Sequence, residues 1–563
     1  MRKTQGYPLP FGVNKIEGKM NFSVPVPCEK SCKLLLYRAG ETSPVKEYEM
    51  QPVMGEVNVL ALEAFPEKEY EYNYEIDGIV TPDPYAKALT GRDVFDEPKE
   101  MKDHEVRGRF VEESYDWEGD RPLQHAYEDV IAYSLHVRGF TKHASSKVKG
   151  RGTFQGVMEK LPYLTNLGIN QIQCMPIYDF LENEKYTNYW GYGPGYYFAP
   201  KASYAFSEDP VKELKDMVKA CHRASIEVVL DVPFTEKVSP QMVEDCLRYY
   251  VMEYHVDGFV LDPATAPMDT VVQDPLLKKT KLMKKQDGFQ TVMRRFLKGD
   301  EGMIDSVIWG MRHHSKAEGT FNYITNHNGF TLMDLVSYDG KHNERNGEDN
   351  QDGPTYNYSW NCGVEGPTRK KAVVELRKKQ MRNAFFLVLA AQGTPCILAG
   401  DEFANTQKGN NNVYCQDNEC GWLDWRKVEK EGELFTYVKE LIAIRKTHPV
   451  LHPKREFLGM DQACCGVPDV SYHGESAWRV PTEIASRQLG IYYSGEGMQD
   501  EDCFIAYNLH WQKHSFALPA LCKGKKWVPV FSTESGGISH GEPEKNQKEV
   551  VISERTITMF VGR

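Results

Sequence analysis

Between residues 130 and 400, apolar β-rich runs alternate with helical patterns, and this alternation restricts the possible folds more than any other feature. Helical patterns near 153–167, 210–224 and 240–254 separate the first of these runs. The apolar runs are VIAYSLHV (130–137), INQIQCMPI (169–177), IEVVLDVPF (226–234), VDGFVLD (256–262), TKLMKK (280–285), FNYITNH (321–327) and PCILAGDE (395–402). Continuous apolar strands between helices are typical of parallel β/α units. At least seven of them within about 300 residues predict a (β/α)8 TIM-type barrel rather than an open sheet.

Both flanks of this region have a different, β-only texture. Short alternating segments at 21–26, 33–39 and 69–76 predict an N-terminal β-sandwich over residues 1–120. FIAYNLHW (504–511) and RTITMFV (555–561) predict strands of a C-terminal β-sheet domain over 451–563. The barrel is therefore expected to span residues 121–450.

Charge and cysteine usage exclude several classes of partner. The 563 residues carry a net charge of −12, which argues against nucleic acid but is compatible with a neutral polymer such as a glucan. No stretch has the length and apolarity of a membrane span, and the start MRKTQGYPLPFG has no signal-peptide core. The 13 cysteines have no metal-like spacing. We therefore expect a cytoplasmic protein with neither metal nor cofactor, although a plastid location stays open.

A series of ordered motifs resembles the α-amylase superfamily of glycoside hydrolases (family 13), within its isoamylase and glycogen-debranching, pullulanase-like branch. The motifs are YSLHVRGFT (133–141), GTFQGVMEKLPYLTNLGIN (152–170), NYWGYGPGYYFAP (188–200), HNGFTLMDLVSYDGKHNERNGEDNQDG (327–353), QGTPCILAGDEF (392–403) and GNNNVYCQDN (409–418). The resemblance implies a protein of starch or glycogen metabolism. It also implies that the N-terminal sandwich resembles a carbohydrate-binding module.

Active members of this branch cleave α-1,6 branch points with retention, which requires two carboxyl groups about 5–5.5 Å apart. The nucleophile motif GFRFD of the family corresponds to Gly258–Asp262 in this chain. Asp262 thus occupies the nucleophile position, but Val260 replaces the arginine that keeps such a carboxylate ionised and oriented.

The two partners of the nucleophile are replaced as well. The acid/base glutamate normally ends the next strand, where the alignment places Lys285, with Lys284 as the alternative register. A lysine there could instead pair with Asp262. The third carboxylate belongs to a His–Asp pair, which here is His327–Asn328, so the negative charge is lost. Only 18 residues separate Asp262 from Lys281, which is short for a connecting loop and helix.

Further substrate contacts are expected from the resemblance, each with a structural alternative. Asp231 keeps the aspartate of the DVVYNH motif, and Glu236 replaces its sugar-contacting histidine. His327 is a candidate for a sugar hydroxyl, and Tyr189, Trp190 and Tyr192 of the stretch 189–192 are candidates for sugar stacking. Each of these side chains is also explained by loop packing. Glu236 and Asp287 are weak candidates for a surrogate acid, because nothing in the sequence places them near Asp262.

Two hypotheses for the function follow. The first is a catalytically impaired protein that binds glycogen or amylopectin, or regulates and partners an active isoamylase-type subunit, as some plant isoamylase-type subunits do. The second is an active, retaining α-1,6-glucan hydrolase that uses Asp262 and a non-standard acid/base. The absence of a carboxylate in the strand-five motif favours the first. A purely structural partner without glucan affinity is a weaker third possibility.

Overall fold

The computed structural model describes residues 1–96, 106–112, 114–182, 185–314, 319–539 and 541–563. It contains two β regions on either side of a parallel barrel. The predicted TIM-type barrel between two β regions is therefore confirmed, although its described part closes with seven strands rather than the expected eight. No helix in these ranges combines the length and apolarity needed to cross a bilayer.

The N-terminal region packs two antiparallel sheets against each other. One sheet has the order β1-β7-β3-β2 with β6 beside β7, and the other β10-β11-β8-β4-β5 with β9 beside β8. Alternating apolar residues from both sheets, including Phe22, Leu34 and Tyr72, form the buried core. The strands are β1 (Arg2–Thr4), β2 (Gly12–Ile16), β3 (Lys19–Pro25), β4 (Cys32–Arg38), β5 (Lys46–Glu49), β6 (Gln51–Met54), β7 (Val57–Glu63), β8 (Tyr70–Ile76), β9 (Ile79–Thr81), β10 (Leu89–Thr90) and β11 (Arg107–Arg109).

Seven parallel strands close the central barrel in the described part of the chain. The first and last strands pair through Ala132 and Cys396, which completes the ring. In chain order the barrel strands are β12 (Ala132–Leu135), β13 (Gln171–Cys174), β16 (Glu227–Asp231), β17 (Gly258–Val260), β18 (Lys281–Lys285), β19 (Gly319–Asn322) and β20 (Thr394–Leu398). A separate antiparallel pair, β14 (Tyr178–Phe180) and β15 (Gly195–Pro200), lies in the loop after β13.

Helices surround the barrel, and two of the longer ones start at side-chain caps. The side chains of Asp209 and Ser239 accept hydrogen bonds from backbone N–H groups in the first turns of the fourth and fifth helices, and each helix begins with proline. The helices are α1 (Val137–Thr141), α2 (Phe154–Glu159), α3 (Leu161–Leu167), α4 (Pro210–Arg223), α5 (Pro240–Tyr254), α6 (Met268–Val271), α7 (Asp287–Lys298), α8 (Ile304–Arg312), α9 (Leu332–Leu335), α10 (Lys371–Ala390), α11 (Arg426–Lys430) and α12 (Gly432–Thr447).

The connection from β17 to β18 differs from its neighbours. The helix α5 before β17 has 15 residues, and α7 after β18 has 12. Between β17 and β18 the structure forms only α6, a helix of four residues. A strand-to-strand crossover in a barrel normally includes a full helix, so this connection is reduced.

The C-terminal region is again antiparallel. Its main sheet has the order β21-β22-β23-β28-β25-β26, and β24 pairs with β27. The strands are β21 (Val470–His473), β22 (Gln488–Tyr493), β23 (Asp502–Asn508), β24 (His514–Ala517), β25 (Trp527–Ser532), β26 (Gly537–Ile538), β27 (Glu549–Ile552) and β28 (Thr556–Gly562).

Candidate functional site at the carboxyl end of the barrel

An ion pair lies where β16 and β18 reach the carboxyl end of the barrel. Lys285 Nζ donates to Asp231 Oδ2 at 2.7 Å, and the Tyr192 hydroxyl donates to the same oxygen at 2.7 Å. The Asp231 side chain is 6% exposed and that of Lys285 is 28% exposed. The Asp231 carboxylate is therefore already paired with a cation and hydrogen-bonded to a hydroxyl.

The same two strands form a second ion pair at the amino end of the barrel. Lys281 and Glu227 pair there, each four residues before its counterpart, and both are buried. Val229 and Met283 fill the level between the two pairs. This repeat follows from the two-residue period of a strand, which directs residues i, i+2 and i+4 to one face.

Gly258 on β17 lies between the partners of the lower pair. A Cβ atom at Gly258 would lie 2.8 Å from the Lys281 Cβ and 2.6 Å from the Lys281 carbonyl oxygen. A glycine is therefore required for this close approach of β17 and β18.

Val260 leaves the middle of the barrel apolar. It is 5% exposed and packs in one cluster with Val229, Met283 and Phe321. Val260, which stands where the family has an arginine, thus contributes only apolar packing. Strand β17 therefore supplies no cation to Asp262.

Asp262 lies on a loop beyond the end of β17 and is exposed. Its Oδ1 accepts a hydrogen bond from the Ala264 N–H at 2.9 Å, and its carbonyl accepts one from the Ala266 N–H at 2.9 Å. Asp262 therefore caps its own turn. The expected pairing of Lys285 with Asp262 is wrong: the lysine shares its barrel face with Asp231, two strands away, and pairs there.

His327 is packed among aromatic rings at the barrel mouth. Its ring stacks on Tyr192 with centroids 5.1 Å apart, and the Trp190 ring meets it edge-on at 4.9 Å. Burial, together with the charge of Lys285, lowers the pKa of His327 well below its usual value. His327 is therefore a neutral imidazole at neutral pH.

Within the described residues, no hydrogen bond or ion pair joins the other predicted positions to this cluster. Asn328 and Glu236 are exposed, on the loops that follow β19 and β16. Asp287 begins α7 and accepts a hydrogen bond from the Tyr323 hydroxyl. The structure thus brings together Asp231, Lys285, His327 and Trp190, but not Asp262, Asn328 or Glu236.

Tyr189 is a structural residue rather than a sugar platform. It is 1% exposed, its hydroxyl donates to the Gly421 carbonyl at 3.0 Å, and its ring lies against His136. The His136 Nδ1 accepts from the Gly139 N–H, so its Nε2 carries the hydrogen that is donated to the Tyr189 carbonyl. Burial lowers the pKa of His136 to about 4.

The cavity beside these rings is small. It has a volume of ≈50 Å³, and its lining includes His136, Tyr189, Trp190 and His327. A water molecule takes about 30 Å³ of liquid volume, so this space is of the order of one or two waters. Within the described ranges, no group of three or more His, Cys, Asp or Glu side chains is arranged to hold a metal ion.

Residues 139–235 match the family model described as the α-amylase catalytic domain. Isoamylase 1 of Arabidopsis thaliana is 32% identical, and the match covers 94% of this chain and 85% of the relative. The glycogen operon protein GlgX homolog of Haemophilus influenzae is 34% identical over 67% of this chain and 74% of its own. The chain belongs to the isoamylase and GlgX branch of the α-amylase family.

Solved structures show the same fold for this isoamylase-branch chain. A pullulanase from Bacillus acidopullulyticus superposes with a TM-score of 0.77 at 20% identity, covering 98% of this chain and 75% of its own. The catalytic module of the pneumococcal protein SpuA gives a TM-score of 0.76 at 17% identity, covering 99% and 97%.

The isoamylase alignment also contains gaps in this chain. It extends over 679 positions, more than the 563 residues present here. The plant isoamylase therefore has segments without a counterpart in this member of the branch.

Two residues of the site were not identified as its centre from the sequence. Tyr192 links Asp231 to His327, and Gln173 on β13 lies 3.5 Å from Asp231 Oδ2 through its Nε2. The signal for Gln173 was a polar residue inside an apolar run, and for Tyr192 its place beside Trp190 in NYWGYG.

Proposed function

We propose that this isoamylase-branch protein binds α-glucan such as glycogen or amylopectin and is impaired in hydrolysis. The observation that supports this most directly is the ion pair between Lys285 and Asp231 at the barrel mouth. Retaining hydrolysis needs a nucleophile and a protonated carboxylic acid about 5–5.5 Å apart on either side of the bond. At this mouth a lysine and a paired aspartate face each other, while Asp262 caps a solvent-exposed turn.

We further propose that one whole strand–helix unit has been lost between Asp262 and Lys281. Two facts support the loss: the barrel closes with seven described strands, and the connection forms only the four-residue α6. On this proposal the strand that carries the acid/base glutamate in active relatives is missing. Lys285 would then belong to the following strand rather than to the substituted position.

A protein that binds glucan without hydrolysing it can affect debranching only through another, active enzyme. We therefore propose an active isoamylase-type subunit as its partner, with this chain holding or positioning the polymer. Mixing the two should raise debranching of amylopectin above that of the active subunit alone. If the rate of debranching is unchanged, the proposed partner role is wrong, while the proposed glucan binding is unaffected.

Two assays on the purified protein test the main proposal. Reducing-sugar release from glycogen, amylopectin and pullulan should not exceed that of an Asp262→Asn control. Electrophoresis in a gel containing glycogen should retard the native protein relative to an inert protein. If the native protein is not retarded, the proposed glucan binding is wrong, and the purely structural partner is the remaining hypothesis.

The second candidate is an active retaining hydrolase, favoured by one observation. Asp262 keeps the nucleophile position and is accessible to solvent. Turnover that is present in the native protein and absent in Asp262→Asn would establish this reading. Variants of Glu236 and Asp287 would then identify the acid.

A further inference from the structure

A large cavity lies at the junction of the N-terminal sandwich and the barrel, away from the barrel mouth. Its volume is ≈610 Å³, within the range of about 300–1,000 Å³ that is usual for small-molecule sites. Strand β2 and the segment after β11 contribute one side, and helices α4 and α5 contribute the other. Junctions between domains are common places for ligand sites.

The charges that line this junction groove are nearly balanced. Four basic and three acidic side chains line it, and two of the pairs are matched locally. Lys15 pairs with Glu67 at 3.7 Å, and Lys215 pairs with Glu253 at 3.1 Å. An anionic ligand would require a surplus of cations, so this lining suits a neutral ligand with many hydroxyl groups.

Aromatic rings complete the lining. Tyr249 on α5 lines the groove and is partly exposed, with the Lys87 ammonium 5.8 Å from its ring centroid. The Lys87 Nζ is held by a 2.8 Å hydrogen bond to Asn14 Oδ1 on the opposite side. The groove thus combines an apolar ring with charged and amide groups that donate and accept hydrogen bonds. This combination matches a sugar, which has an apolar ring face and polar edges.

An exposed aromatic pair elsewhere on the surface serves as a comparison. Tyr356 is 78% exposed and stacks on Tyr358 with centroids 6.4 Å apart, in the loop after β19. Tyr356 faces solvent, whereas Tyr249 lines a cavity together with polar groups that are held by hydrogen bonds.

We propose that the junction groove is the α-glucan site of this protein and that it binds a short linear stretch of the polymer. This inference rests on the proposed glucan binding and adds the place at which it occurs.

The test is binding of maltoheptaose by calorimetry, together with retardation in glycogen gels. Tyr249→Leu removes the ring and should weaken binding about tenfold, whereas Tyr249→Phe keeps the ring and should bind within about twofold of the native protein. Ser114→Trp places bulk at the exposed rim of the groove and should also weaken binding about tenfold, with Ser114→Ala as its matched control. Tyr356→Ala should bind as the native protein does.

The outcomes separate this inference from the function on which it rests. If the native protein binds and both groove variants bind equally well, the groove is not the site and glucan binding stands. Loss of binding in Tyr356→Ala alone would place the site on the exposed pair instead. If the native protein does not bind at all, both proposals are wrong. Melting temperatures of every variant show whether a weak binder is folded.

Discussion

At the scale of single residues, Asp401 is a buried acid with a large effect on pH dependence. It is 2% exposed at the end of β20, and it accepts hydrogen bonds from the Thr325 hydroxyl and the Leu332 N–H. Burial outweighs these bonds and raises the pKa of Asp401 to about 7. The folded protein therefore holds this proton up to near neutral pH, while the unfolded chain releases it near pH 4.

The sign of the effect follows from this difference. Between about pH 4 and 7 the folded state binds more protons at Asp401 than the unfolded state, so this group makes stability fall as pH rises. Asp401→Asn removes the titration. We predict that the melting temperature of the variant minus that of the native protein increases steadily from pH 4 to 7. Thermal unfolding over that range measures it, and the exposed Asp269→Asn should give a constant difference.

Residue identities could be read from the sequence, but their pairing could not. The motif positions of Asp262, Lys285 and Asn328 are visible in the sequence as departures from the family pattern. That Lys285 pairs with Asp231 depends on which face of β18 it occupies and on the strand two places away. Side-chain direction in a closed barrel is set by register, which a single sequence does not contain.

At the scale of elements, the reduced connection after β17 decides how the catalytic motif is interpreted. The sequence indicates a short spacer, and the structure adds that the barrel nevertheless closes. Strands β17 and β18 are direct neighbours, with Gly258 allowing their close approach. The loss of an entire unit is therefore distinguishable from a simple exchange of glutamate for lysine.

Restoring the carboxylate tests that distinction. If Lys285 merely replaced the acid, Lys285→Glu should recover reducing-sugar release from amylopectin. We predict no recovery, and a lower free energy of unfolding, because a glutamate there would face Asp231 without a cation. Lys284→Glu covers the alternative register and should be equally inactive. Turnover in either variant would show that β18 does occupy the place of the catalytic strand.

At the scale of the whole molecule, the junction groove connects two regions that bury separate cores. The sandwich core contains Phe22 and Tyr72, and the barrel has its own clusters. The groove is lined from both, by β2 on one side and α5 on the other. A ligand bound there would contact both regions at once, so its binding energy would be lost when either one unfolds.

This geometry predicts a specific calorimetric result. A ligand that binds only the folded state stabilises it by about 2.7 kcal/mol when present at about 100 times its dissociation constant. Saturating maltoheptaose should therefore raise the temperature of the first unfolding transition, whichever region it belongs to, or shift a single common transition. Tyr249→Leu should show a much smaller shift at the same concentration, and Tyr249→Phe the full one. If the two regions unfold separately, a shift confined to the later transition would place the glucan away from the junction, because a ligand shared by both regions is released when the first one unfolds.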